Sequence, residues 1–312
     1  MKPVLADKYT RNVTTVDYIT ASVADRTQLS TLVSEFNDLL PLPPRFCHLK
    51  RVKSTNIENK KKYYILMVPF KQLPAGVSLF TCVKHLLPSL PIEITKCLGD
   101  ITVVKVPDYI PLTSMQYTYA KNLWPTVYSH NPKIEKQLSK NPFSATELLR
   151  MKEYMRSALQ LANNARLNGA LPVASVIVDP VKKQILAGQH HSVDSCLDHS
   201  IMRCIQDIAK LQKPIVTGSK RTIDDSDNLN ISNSSEYYLC TGLEVYTTQE
   251  PCVMCSMALV HARISKVFYG MANIEMGGLG SVYNIHYQEG INHHFDVYKG
   301  FLEQDSIQLF QK

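Results

Sequence analysis

Cysteine is scarce in this chain: eight residues in 312. That density excludes a disulfide-stapled scaffold and suits reduced thiols, with a metal site as the use for a close pair. Long apolar runs are missing too. The longest, such as Tyr63 to Phe70, fall far short of a bilayer span, so no membrane partner is expected. The stretch from Met1 to Asp7 lacks the apolar core of a secretory signal. A soluble protein of cytoplasm and nucleus is the expectation. A strong excess of one charge is also absent, since 34 Lys and Arg oppose 27 Asp and Glu for a net +7. That mild bias suits an RNA partner but does not demand one; a basic solvated surface gives the same balance.

What is present is enough apolar residue, 45%, to fill two cores in a chain longer than one typical domain. The pattern predicts a small α+β domain over residues 1–141. Arg26 to Leu40 has helical spacing, with Leu29, Leu32, Val33 and Phe36 on one face, and Pro41, Pro43 and Pro44 stop it. Lys62 to Val68 and Ile101 to Val106 read as strands. The main basic cluster lies here: Arg45, His48, Lys50, Arg51 and Lys53, then Lys60, Lys61 and Lys62 beside Tyr63 and Tyr64. Basic residues next to aromatics suit phosphate contact with base stacking. A solvated loop between two strands, its tyrosines turned inward, accounts for the pattern equally well. On the first reading, replacing Lys50, Arg51 and Lys53 with alanine weakens RNA binding and flattens its salt dependence.

Trp124 to Pro142 reads as a proline-punctuated linker. The second domain, 142–312, opens on a capping box at Ser144-Ala145-Thr146-Glu147, with a helix to about Leu167 stopped by Asn168-Gly169. Strands are expected from Val173 to Val178 and from Gln184 to Ala187, then a helix from Ile201 to Leu211. A strand from Glu244 to Thr248, a helix from Cys252 to Ala262, and strands from Lys266 to Tyr269 and Phe295 to Tyr298 complete it. The polar stretch 213–236 reads as a mobile insertion. Alternating helices and strands imply a mixed sheet between helix layers, a three-layer α/β/α architecture.

The sharpest signal is Pro251-Cys252-Val253-Met254-Cys255. A spacing of three puts both sulfurs on one side of a first helical turn, where they can share one ion. Pro251 stands where a missing N–H costs nothing, and the positive helix end favours thiolate. His199 opens another helix. If the two helix starts meet, one imidazole and two thiolates converge, a common Zn²⁺ set. Zinc nucleobase deaminases carry this pattern as H-x-E … P-C-x-x-C, with the Glu moving protons. Here His199-Ser200-Ile201 puts an apolar residue in place of that general acid and base. General acid–base catalysis contributes about 10²–10⁴-fold, so no catalytic residue is assigned in this chain. Glu250 reads as a residue that orients backbone or ligands behind the metal, and Asp198 as a helix cap. His190, His191, Cys196, His293, His294 and the chain terminus are open candidates for a fourth ligand.

The string from Glu250 to Cys255, Pro172-Val173-Ala174, and Met257-Ala258-Leu259 with His261-Ala262-Arg263 resemble the tRNA-specific adenosine deaminase family, within the cytidine-deaminase-like fold. Ile201 after His199-Ser200 is similar to its non-catalytic subunit, as are Gly278-Leu279-Gly280-Ser281 and the stretch from Asn292 to Val297. His48-Leu49-Lys50-Arg51 resembles a short basic motif of that subunit's N-terminal domain. The resemblance is strong over about 145–300 and thin before it. It implies an obligate heterodimer with a catalytic subunit, converting the first anticodon adenosine of tRNAs to inosine, with the N-terminal domain helping to hold tRNA. Two other readings stand beside it: an active zinc deaminase with an unconventional base, and a stand-alone RNA-binding protein on a relict deaminase fold.

Overall fold

The computed structural model describes residues 1–23, 25–57, 60–72, 97–212 and 238–311. The polar stretch 213–236 lies outside them. Two compact units form, Asp7–Ser139 and a second made of Met1–Ala6 with Lys140–Lys312. In chain order the first half runs β1 (Lys2–Pro3), α1 (Asp7–Thr10), β2 (Thr15–Val23), α2 (Leu29–Leu39), β3 (Val52–Ile57), β4 (Lys60–Pro69), β5 (Leu98–Pro107), α3 (Ser114–Leu123) and α4 (Pro132–Leu138). The rest is α5 (Ala145–Leu167), β6 (Ala174–Asp179), β7 (Gln184–His190), α6 (Ser200–Gln212), β8 (Glu244–Gln249), α7 (Val253–His261), β9 (Lys266–Met271), β10 (Asp296–Lys299) and α8 (Glu303–Gln308).

In the first unit β3-β4-β2-β5 make an antiparallel sheet. Side chains alternate between its faces. Ile19, Ala21, Ile65 and Met67 pack under Leu32 and Phe36 of α2 on one face. Tyr18, Leu66 and Val106 pack with Phe46, Leu49 and Trp124 on the other. The expected proline-rich linker contains α4. Asn131 accepts from the N–H groups of Lys133 and Ile134, and Pro132 takes the first helical position, so this proline starts a helix rather than breaking one.

The second unit has the order β1-β10-β9-β8-β6-β7, with β8, β9 and β10 parallel and the other pairs antiparallel. One face buries Ile177, Val245, Val267 and Val297 against Ile201, Cys204 and Ile208 of α6 and Leu259 and Val260 of α7. The other buries Val176, Tyr246, Phe268 and Tyr298 under Met151, Met155 and Ala158 of α5. The chain therefore has the mixed-sheet, three-layer α/β/α architecture. Ser144 caps α5 by the reciprocal capping box, and Gly169, at φ +77°, ends it in the left-handed region.

The first six residues join this unit, whereas the sequence pattern places them in the N-terminal domain. β1 pairs with β10, and the Val4 N–H donates to Val297 O at 2.8 Å. His286 Nε2 donates to Val4 O at 3.0 Å, while its Nδ1 is buried without a partner. The ring is 0% exposed. Burial lowers its pKa from 6.5 to about 4, so the folded chain holds it neutral. An unfolded histidine titrates near its ordinary value. Between those two pKa values the unfolded state binds the extra proton, so stability falls as pH drops from about 6.5 towards 4. The full shift corresponds to roughly 3 kcal/mol. His286→Gln keeps a donor for Val4 and removes the proton site. Its Tm should fall less steeply than wild type between pH 7 and pH 4.5; parallel curves would reject the assignment.

Candidate metal centre

The centre forms where α6 and α7 begin, at one edge of the sheet. His199 stands immediately before α6, and its carbonyl accepts from the Arg203 N–H at 3.0 Å. Cys252 is the N-cap of α7, in extended backbone, and Cys255 lies in the first turn. The three ligand atoms of His199, Cys252 and Cys255 all lie within 4.8 Å of one another. Among the described residues no other His, Cys, Asp or Glu joins such a group.

The spacing fits zinc. Sulfur at about 2.3 Å and nitrogen at about 2.0 Å, at a tetrahedral angle, would stand about 3.5 Å apart. His199 Nδ1 is 3.5 Å from Cys252 Sγ and 3.4 Å from Cys255 Sγ. The donor set is chemically suited as well. A hydrogen bond from the Cys255 thiol pulls the Cys252 pKa down to about 5, with burial opposing it. The same bond and burial push Cys255 up. The pair thus offers one thiolate at neutral pH, and a bound cation would displace the second proton.

Glu250 is 2% exposed and fully engaged. Oε1 accepts from the N–H groups of Leu279 and Ser281, each at 3.0 Å, and Oε2 from the Asn273 N–H at 3.0 Å and the Ser281 hydroxyl. It orients backbone, as the sequence suggests, but that of a distant loop rather than the ligands themselves. The loop passes so close that a Cβ on Gly277 would sit 2.5 Å from the Glu250 carboxyl, and one on Gly278 would strike Ser256. Glycine is required at both.

Ile201 is 3% exposed and packs with Cys204, Ile208 and Leu259. It also lines a cavity of about 250 Å³ with His191, His199, Cys252, Cys255 and Glu250. Glu250 is the one carboxylate among the described residues that line this cavity. Its oxygens already accept four hydrogen bonds, which leaves it poorly placed to carry protons.

Among the described residues none of the candidates for a fourth ligand joins the group of three. His191 lies against His199 with ring centroids 4.4 Å apart and the rings tilted by 32°, and its Nδ1 lies 3.3 Å from both Val173 O and Ser200 N. Burial lowers its pKa to about 4, so it stays neutral. His190 Nδ1 is bonded to His191 O, His293 to Ile264 O and His294 to His286 O, while Cys196 is exposed. Phe310, near the end of the chain, lines the cavity. Asp198 does not cap α6 with its carboxylate; the Ser200 N–H faces His191 instead. Beneath the centre runs a buried hydroxyl chain that sequence reading missed: Ser200 Oγ to Ser175 Oγ at 2.8 Å, and Ser175 Oγ to Thr247 Oγ1 at 2.9 Å. Three isolated hydroxyl residues give no local signal of such a chain.

The basic cluster divides. Arg51 is 7% exposed and is not available to RNA. Its guanidinium donates to Phe36 O and Leu40 O at the end of α2, to Leu66 O and Met67 O, and to Asn37 Oδ1. The expectation that it contacts phosphate is corrected by these five bonds, two of which serve carbonyls at the end of α2. His48 is buried, with Nε2 on Pro107 O, and Arg45 pairs with Asp108. Lys53 is half-buried and donates to Leu123 O at 2.7 Å. Lys50, Lys61 and Lys62 are exposed, and Lys60 is the first residue of β4.

The family described as "Cytidine and deoxycytidylate deaminase zinc-binding region" matches residues 150–271, which contain all three candidate ligands. A mouse protein named "Probable inactive tRNA-specific adenosine deaminase-like protein 3" is 33% identical across 98% of this chain and 90% of its own. Its zebrafish namesake is 34% identical across 96% and 91%. A fission-yeast "tRNA-specific adenosine deaminase subunit tad3" is 29% identical across 67% and 64%.

Proposed function

The chain belongs to the family of the inactive tRNA-specific adenosine deaminase-like protein 3, and on that premise we propose that it is the non-catalytic subunit of a heterodimeric tRNA adenosine deaminase. Its partner carries the complete H-x-E motif. The pair converts the first anticodon adenosine of tRNAs to inosine. His199, Cys252 and Cys255 hold Zn²⁺ as a structural ion that fixes the starts of α6 and α7. Tethered there, both helices present a constant surface to the partner. The bound tRNA is shared between the chains, and exposed lysines of the first unit supply part of the contact.

One observation carries this reading. Ile201, apolar and packed, lines the same cavity as the three candidate ligands, and the one carboxylate there is saturated. A metal site without a proton carrier can hold structure but has little means of deaminating a base.

The test is co-purification with a candidate catalytic subunit, with inosine measured in tRNA incubated with each chain alone and with the pair. Inosine should form with the pair only, and zinc should remain with this chain. Inosine from this chain alone, above a zinc-free control, would overturn the proposal in favour of an active enzyme. Full activity of the catalytic subunit without this chain would favour a separate RNA-binding role.

A further inference from the structure

The first unit's sheet is covered by α2 on one face and only partly covered on the other. Alternation along the strands puts Lys53 and Thr55 of β3, Lys62 and Tyr64 of β4, and Thr102 and Val104 of β5 on that second face. Trp124 is buried at one end of it. The rest is an open hollow of about 400 Å³ lined by Lys53, Thr55, Tyr64, Thr102, Val104 and Trp124.

The composition of this hollow is selective. None of its lining residues is acidic. The Lys53 ammonium stands 5.5 Å from the Trp124 ring, and Lys62 is exposed opposite Thr55 in the strand register. No acidic side chain pairs with Lys62 among the described residues. Thr55 Oγ1 is buried in the floor without a hydrogen-bond partner. Tyr64 is half-buried in the same wall. An aromatic ring on a face that also carries two lysines and an unpartnered hydroxyl matches an unpaired base with its phosphate. An acidic peptide would use the lysines but leave the ring without a counterpart, and a duplex hides its base faces.

We infer that this face binds an unpaired nucleotide of an RNA strand, with the base on the Tyr64 ring and the adjoining phosphate on Lys62 and Lys53. The inference rests on the proposed tRNA-acting pair and adds where on this chain the RNA is held. It also replaces Arg51, which is sequestered, with Tyr64, whose part in the cluster the sequence left open.

The test uses the full chain with its catalytic subunit and fluorescence anisotropy on two probes, a short single-stranded RNA and a blunt RNA duplex of the same sequence. Tyr64→Leu keeps apolar bulk but removes the ring. It should weaken the single strand about tenfold with its salt slope unchanged, and leave the duplex unaltered. Tyr64→Phe should bind like wild type. Lys62→Glu should weaken the single strand and lower the salt slope by about 0.7, whereas Lys105→Glu, a matched charge change at an exposed position outside the hollow, should do neither. Unchanged single-strand affinity in Tyr64→Leu overturns the inference, as does equal weakening of the duplex. Displacement of the RNA by polyglutamate with the same dependence on Tyr64 would assign the face to an acidic peptide and also overturn it. Inosine formation is read in parallel. A pair that makes no inosine discredits the functional proposal, while normal editing with unaltered RNA affinity in Tyr64→Leu discredits this face alone.

Discussion

Cys252→Ser should strip zinc from the purified chain and leave its second unit unfolded or prone to aggregation. A serine hydroxyl does not ionise at neutral pH, so the site would fall from three protein ligands to two. Structural zinc contributes an apparent 10–16 kcal/mol in small zinc-dependent folds, roughly the whole stability of an ordinary domain. The loss would be felt at both helix starts, because His199 and Cys255 then lack the ion that joins them. The Cys252 position also caps α7, and serine serves well as a cap, so the effect isolates the metal. Zinc per chain by atomic emission and Tm by differential scanning calorimetry are the measurements. Cys196→Ser, at an exposed cysteine, is the control and should change neither. Retained zinc and Tm in Cys252→Ser would sink the metal assignment.

Arg51→Ala should destabilise the first unit rather than trim its affinity for RNA. Removing the guanidinium takes one donor from each of Phe36 O, Leu40 O, Leu66 O and Met67 O, of which Phe36 O keeps the Leu40 N–H. A buried carbonyl left short of a partner costs about 1–3 kcal/mol, so several together cost about 3–5 kcal/mol. For a unit of this size that is a fall in Tm on the order of 10–20 °C. Arg51→Lys should recover only part of it, because an ammonium cannot reach carbonyls spread around a planar fork. Lys50→Ala and Lys61→Ala, at exposed positions, should leave Tm unchanged. A stable Arg51→Ala chain with weakened tRNA binding would reverse this assignment and restore the contact that the sequence alone suggests.

These two residues show where sequence reading succeeds and where it stops. Cys252 and Cys255 are close in the chain, and their geometry follows from helical pitch once Pro251 marks the start. The capping box at Ser144 is legible for the same reason, since cap and partner are three residues apart. Arg51 offers no such cue. Next to lysines it reads as part of a basic patch, and only the approach of α2 to the strands, 11 to 16 residues away in sequence, makes it a carbonyl clamp. Pro132 misleads in the other direction, since a proline inside a polar stretch signals a break unless Asn131 is seen capping the turn.

By itself, the sequence determined the helix starts, the strand alternation, the three-residue spacing of Cys252 and Cys255 and the apolar residue at position 201. All of these depend on neighbours within a turn or a strand pair. Tertiary structure alone decided that Glu250 is spent on a loop 23 to 31 residues later, that the first six residues complete the deaminase sheet, and that Arg51 is buried while Lys62 is exposed. Each of those outcomes comes from segments distant in sequence meeting in a core. Hydrophobic burial drives such meetings without direction, and the polar groups then take whatever partners the packing brings within reach.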